Sequence, residues 1–170
     1  ILKRVHGVYH KNIMSIKTQR YIFPSPGTKA LAHPPVVIGS GPAGLFCALM
    51  LARHGYRPLV IERGAQADER KDAVERFWQT GVLDPQSNVQ FGEGGAGTFS
   101  DGKLHTLIKD PAGRIQLVLE TFVEAGAPPE ICYQQKPHLG TDVLIEIVEH
   151  IRGQIEELGG RFLFKTQVTD

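Results

Sequence analysis

Two glycine-rich segments hold the residue types that could do chemistry in this chain. The first is Gly39-Ser40-Gly41-Pro42-Ala43-Gly44, a GxGxxG spacing. Each glycine has its own use: Gly39 permits a tight turn, Gly41 lets a pyrophosphate approach bare backbone, and Gly44 lets a helix lie close on a sheet. Pro42 suits a first helical turn, where its missing N–H is not needed. The free N–H groups and partial positive charge of such a helix start favour a diphosphate. Glu62 follows Gly39 by 23 residues. Its carboxylate can accept hydrogen bonds from both hydroxyls of an adenosine ribose, and its charge opposes a 2′-phosphate there. Arg63 beside it softens that repulsion.

The second segment runs from Asn88 to Leu104, with Gly92, Gly94, Gly95, Gly97 and Gly102 close together. So many glycines cost folding entropy, which is justified where backbone must lie against something. Successive N–H groups there can cradle a phosphate or flavin carbonyls. Thr98 and Ser100 add hydroxyls, and Lys103 a positive charge suited to the N1 side of a reduced flavin. The segment lacks the GK[ST] ending of a P-loop and the GxSxG of a nucleophile elbow.

The elements that must position these residues are legible from periodicity. Val36–Ile38 and Pro58–Ile61 are short apolar runs, hence buried strands. Between them Pro42 to His54 reads as a helix stopped by Gly55. This is a βαβ unit, and strands apolar throughout predict a parallel sheet covered on both faces. Further helices are expected over 72–80, with Val74, Phe77 and Trp78 turned to the core, and over 114–125 and 142–158. Thr141 is the expected N-cap of the last and Gly159-Gly160 its stop. Alternating Phe162, Phe164, Thr166 and Val168 predict a strand over 161–168. About a hundred residues separate Glu62 from that strand. One crossover helix would suffice for an NAD domain, so the spacing favours FAD, with NAD as the alternative.

The chain has 170 residues, 41% hydrophobic and 22% charged. That is one domain's worth of ordinary globular composition and excludes a disordered chain, a collagen-like fibre or a membrane bundle. The longest apolar run, Ala43 to Ala52, is too short to span a bilayer. Cys47 and Cys132 form no CxxC pair, so neither a disulfide scaffold nor a closely spaced redox pair is expected, and the default is a reducing, cytoplasmic setting. Cys47 is expected in the core. Seven histidines without an HExxH spacing make no metal site; His138 and His105 are loop histidines, structural rather than catalytic. Residues 1–35 carry six basic side chains and no acidic one, against 13 basic and 18 acidic in the remainder. Aromatic residues are not interleaved with those charges, so the stretch reads as a solvated tail and no nucleic-acid partner is expected. Residues 1–34 are read as the tail of an upstream domain plus a Pro-rich linker, and 35–170 as the N-terminal part of a dinucleotide-binding domain. The chain is read as a fragment.

Val36 to Gly64, Phe77-Trp78, Leu83-Asp84-Pro85, Asn88 to Leu104 and Lys136 to Asp142 occur in an order that resembles the uncharacterised FAD-dependent dehydrogenases within the NAD(P)/FAD-dependent oxidoreductases. The segment GEGGAGTFSDGKL is far more specific than the first motif. The resemblance implies a truncated Rossmann-like α/β FAD-binding domain: a βαβ unit with a long helical and glycine-loop insertion. It implies a two-domain flavoprotein with a bound FAD, with NAD(P)H as a transient electron donor and an unknown small-molecule substrate. Gly39, Ser40, Gly41, Pro42, Ala43 and Gly44 would line the pyrophosphate. Glu62 would hold the ribose and Arg63 flank the adenine. Gly94, Gly95, Gly97, Thr98, Ser100, Asp101, Gly102 and Lys103 would face the ribityl chain and isoalloxazine, and Val168 would meet adenine through its backbone. Such proteins complete the site with a C-terminal Gly-Asp segment and a substrate domain, so this segment alone is expected to be inactive. No catalytic residue, substrate or oligomeric state follows. A binding module without a redox role is the other alternative.

Overall fold

A computed structural model describes residues 19–104, 106, 108–134 and 136–169. His105 and most of the basic tail lie outside the described residues. Three parallel strands, β1 (Val36–Ile38), β2 (Leu59–Ile61) and β3 (Arg161–Leu163), form a sheet in that order. Val37 pairs with Val60 and Val60 with Phe162, while Ile38, Ile61 and Leu163 line up in the next row. Four helices are described: α1 (Pro42–Arg53), α2 (Ala67–Thr80), α3 (Arg114–Glu124) and α4 (Thr141–Glu157). This is an α/β Rossmann-like arrangement.

The core lies between one face of the sheet and α1 with α4. Val37 and Val60 meet Leu45, Ala48 and Leu49 of α1 and Ile147, Ile151 and Ile155 of α4. The four α4 positions Ile147, Val148, Ile151 and Ile155 recur at helical spacing, which is the stripe the sequence shows. The other face of the sheet is not covered by a described element. Val36, Leu163 and Ile38 are exposed there, Ile38 at 69%. The two-sided burial expected of apolar parallel strands is therefore present on one side only.

Several local expectations need correcting. Helix α2 begins at Ala67, five residues before the expected start, because its buried face includes a charged residue, Arg70, which hides the apolar period. Trp78 is 72% exposed rather than in the core; the buried face of α2 is Ala67, Arg70, Ala73 and Val74. Cys47 is exposed on α1, while its neighbours Ala48 and Leu49 are buried. Thr141 is the first residue of α4, not its cap: Gly140 caps the helix without a side-chain bond, and the Thr141 hydroxyl lies 3.5 Å from the Ser100 carbonyl. β3 stops at Leu163. Lys165 has φ +53, a left-handed conformation that ends a strand, and Val168 lies in coil beyond it.

Candidate functional site

The first glycine segment forms the turn from β1 into α1, and its three glycines differ in what the structure asks of them. Gly39 has φ +88, a region open to glycine and strained for other residues. A Cβ on Gly44 would sit 1.9 Å from the Gly39 carbonyl oxygen, so α1 lies against the turn only because none is there. Gly41 is different. Its φ is −66, which any residue adopts, and a Cβ there would meet nothing of the protein closer than the Gly95 Cα at 3.9 Å. Neither conformation nor internal crowding requires glycine at 41, which faces open space at the start of α1.

That space is a cleft of about 380 Å³ at the C-terminal end of the strands, where open parallel sheets bind ligands. Gly39, Gly41, Glu62, Arg63, Gly95 and Val168 line it, with Phe91, Gly92, Thr166 and Gln167. Glu62 is buried at its base. One carboxylate oxygen accepts from the Ser40 N–H at 2.7 Å and the Ser40 hydroxyl at 2.8 Å, and the other from the Gly64 N–H at 2.8 Å. Glu62 thus holds the fingerprint turn in shape, and with three bonds accepted it keeps about one unused lone pair, because a carboxylate accepts about four bonds. Arg63 stacks its guanidinium 3.6 Å from the centroid of the Phe91 ring and donates to the Pro85 carbonyl at 3.1 Å; its Nε is buried without a partner among the described residues. The stack gives the cleft a flat wall.

The second glycine segment packs directly on the first. Gly94 donates to the Ser40 carbonyl at 2.8 Å, and a Cβ on Gly95 would come within 3.1 Å of the Gly41 Cα. Gly94 and Gly102 also have positive φ and no room for a Cβ. What these glycines lie against is the protein's own backbone. A short 3-10 turn, Ala96–Phe99, follows. Beyond it Gly102, Leu104, Pro137 and Leu139 exchange backbone bonds, forming a bridge between Lys103 and His138. The FSDGKL and KPHLGTD motifs, far apart in sequence, are thereby one structure.

A second cavity of about 480 Å³ lies on the far side of this loop. Pro42, Ala43, Gly94, Gly97, Thr98, Ser100, Gly102 and Lys103 line it, opposite apolar side chains of α1, α3 and α4 such as Phe46, Phe122 and Ile147. Ser40 and Gly44 lie behind the turn and line neither space. Asp101 also lines neither; it pairs with Lys103 at 2.6 Å, with both groups exposed. The hydrogen bond from Lys103 holds the Asp101 carboxyl below its usual range, and Asp101 pushes the Lys103 ammonium up. The Ser100 hydroxyl donates to the Gly97 carbonyl at 2.7 Å, and the buried Thr98 hydroxyl has no partner among the described residues.

Behind both spaces lies a network that motif reading did not reveal. Arg70 is fully buried and donates to the carbonyls of Asn88, Val89 and Glu93 at 2.6 to 2.8 Å. Burial lowers its pKa to about 10, against the opposing pull of Glu62 and Glu93. The buried Glu93 carboxylate accepts from the Ala67 N–H and from Arg152 Nε, each at 2.8 Å. It therefore caps α2 and ties the glycine loop to α4. Burial raises the Glu93 pKa, with Arg152 and the Ala67 N–H opposing that rise. One signal was available: an acid between two glycines, and a basic residue three positions after Ala67 on an apolar stripe.

Residues 37–67 match the NAD(P)-binding Rossmann-like domain family, a span that takes in β1, α1, β2 and Glu62. The chain carries a Rossmann-like dinucleotide-binding module. It is also 48% identical over 168 residues to an uncharacterized protein of Clostridium beijerinckii, covering 99% of this chain and 31% of that protein. The module thus spans about a third of its relative's length, and the similarity runs through the second glycine segment as well as the first. Among the described residues no group of His, Cys, Asp and Glu is arranged to hold a metal ion, and no helix is long and apolar enough to cross a membrane.

Proposed function

We propose that this module holds FAD for an oxidoreductase acting on a small organic molecule. The observation that carries the reading is Gly41: a glycine needed by neither φ nor packing, facing an open cleft at a helix N-terminus. Gly39 to Ala43 would hold the pyrophosphate, with Glu62 directed to the ribose, Arg63 on its Phe91 support beside the adenine, and Val168 opposite. FAD is favoured over NAD because a second backbone floor, Gly94 to Gly97, abuts the first and leads to the 480 Å³ apolar cavity. A flat, largely apolar ring system suits that space. Thr98, Ser100, Gly102 and Lys103 would border the flavin, which when bound supplies the hydride or electron transfer, while Asp101 pairs with Lys103 outside the cavity. The chain's own part is to orient the cofactor, to supply the α1 dipole to the diphosphate, and to present the Lys103 ammonium.

The test is Gly41→Val in the full-length protein, with flavin measured by visible absorbance after purification. The expected result is a folded protein that has lost its yellow colour and melts where flavin-free wild-type protein melts. Wild-type flavin occupancy in the variant would overturn the placement. A colourless wild-type protein that takes up NADH in preference to added FAD would favour the NAD reading.

A further inference from the structure

At the opposite end of the sheet, away from both cavities, the linker and the strand starts enclose a larger cleft of about 830 Å³. One wall is the extended segment 26–35; the other is the end of α1, the residues leading into β2, and the turn from α4 into β3. Its charged lining is Lys29, Arg57 and Arg161, and it contains no acidic side chain. None of the three cations makes an ion pair or a side-chain hydrogen bond among the described residues.

A structural explanation competes with a ligand. The C-terminal ends of α1 and α4 point to this cleft, and helix C-termini attract cations. Their partial charges amount to about −0.5 each, or about −1 together. Three full positive charges exceed that, leaving the cleft about +2. The Arg57 side chain is also held: it packs its aliphatic stem beside Gly159, where an added Cβ would lie 3.4 Å from Arg57 Cγ and Cδ. Arg161 is the first residue of β3, and its N–H donates to the Pro58 carbonyl at 2.9 Å. Two guanidinium forks, on Arg57 just before β2 and on Arg161 at the start of β3, thus line the cleft with Lys29. Forks of this kind match phosphate oxygens two at a time, and Thr28 and Tyr56 in the lining add hydroxyls. A chain of phosphates concentrates three negative charges in a small volume, which a peptide of carboxylates does not.

We infer that this cleft is an anion site, separate from the dinucleotide cleft, that binds a ligand carrying two or more linked phosphates. The inference stands whether or not the module holds FAD. The test titrates the full-length protein with inorganic tripolyphosphate by calorimetry at two salt concentrations. Saturable binding that weakens at higher salt, and at least tenfold weaker binding by Arg57→Gln/Arg161→Gln with flavin content unchanged, is the expected result. Arg57→Lys/Arg161→Lys keeps the charge and loses the forks, so it should retain part of the affinity; it serves if the glutamine pair folds poorly. Parallel titrations with ATP and with an oligothymidylate identify the source of the phosphates, and the same variant-dependent loss with either supports the site. No saturable binding of tripolyphosphate, binding indifferent to both pairs, equal affinity for oligoglutamate, or loss of binding in Gly41→Val instead would each overturn it.

Discussion

Replacing Glu93 with glutamine tests the claim that a buried acid holds the glycine loop in place. The change is isosteric and removes one charge. Glu93 accepts two bonds, from the Ala67 N–H and Arg152 Nε; the amide keeps one acceptor and turns an N–H2 toward the other donor. A buried donor left without a partner costs about 1–3 kcal/mol. Removing one partner of a buried ion pair costs about 3–5 kcal/mol, but Arg152 is 21% exposed and can recover water. Removing the charge also returns part of the burial penalty that raises the Glu93 pKa. The net expectation is about 2 kcal/mol of destabilisation, combining these opposing magnitudes. For a chain of this size that is roughly 4–8 °C in melting temperature, read by calorimetry at pH 7. The pH dependence has a sign. A carboxyl whose pKa is raised in the folded state favours folding while protonated, so its stability contribution is complete below the unfolded value of 4.5 and is lost as pH rises through the folded value. Wild-type stability should therefore fall more steeply with pH over that window than that of Glu93→Gln. Equal or higher melting temperature in the variant at pH 7 would refute the reasoning.

Three further substitutions separate structure from binding. Gly44→Ala drives a methyl group into the Gly39 carbonyl and should destabilise by about 3 kcal/mol or more, as forced overpacking does, whereas Gly41→Ala should leave the chemical-denaturation midpoint unchanged and weaken flavin retention. Arg63→Ala removes the stack on Phe91, worth about 0.5–1 kcal/mol at an exposed site; it should raise the dissociation constant for FAD several-fold, measured by equilibrium dialysis, while moving the melting temperature by no more than about 4 °C.

The βαβ unit was legible because every level of its sequence agrees. Val37 and Val60 are apolar, the Pro42 start and Gly55 stop are standard helix punctuation, and Gly39 and Gly44 each have one conformational or packing reason to be glycine. Agreement of that kind is what makes a segment readable. Reading failed where a tertiary contact overrode the local pattern. Helix α2 starts at Ala67 because the Glu93 carboxylate, 26 residues later, satisfies its first N–H, and no local cap advertises that start. Helical spacing puts Trp78 on one face with Val74 and Phe77 and so predicts it in the core, yet Val74 and Ala73 complete the buried stripe without it. β3 ends early because the backbone leaves the sheet at Lys165, whose N–H bonds to the Gly64 carbonyl at 2.9 Å; alternation in Phe164 to Val168 continues past the pairing that would make it a strand.

The candidate site was legible as a set of residues but not as an arrangement. Five glycines in the second segment signal close approach, and the sequence does not say to what. Gly94, Gly95 and Gly102 approach the fingerprint turn and Leu139, so most of that segment is glycine for internal reasons. This changes which substitutions are informative. A methyl group at Gly94 collides with the Thr98 hydroxyl and at Gly102 with the Leu139 carbonyl, so lost flavin in either variant would report a collapsed loop. Gly97 has no positive φ, and a Cβ there would meet nothing closer than Pro42 Cγ at 3.9 Å. It shares with Gly41 an open side, but facing the apolar cavity. If a flavin ring occupies that cavity, Gly97→Val should lose flavin while matching the stability of flavin-free wild-type protein, as Gly41→Val should. If only the cleft is used, as by NAD, the two variants should part, with Gly41→Val losing its nucleotide and Gly97→Val keeping it.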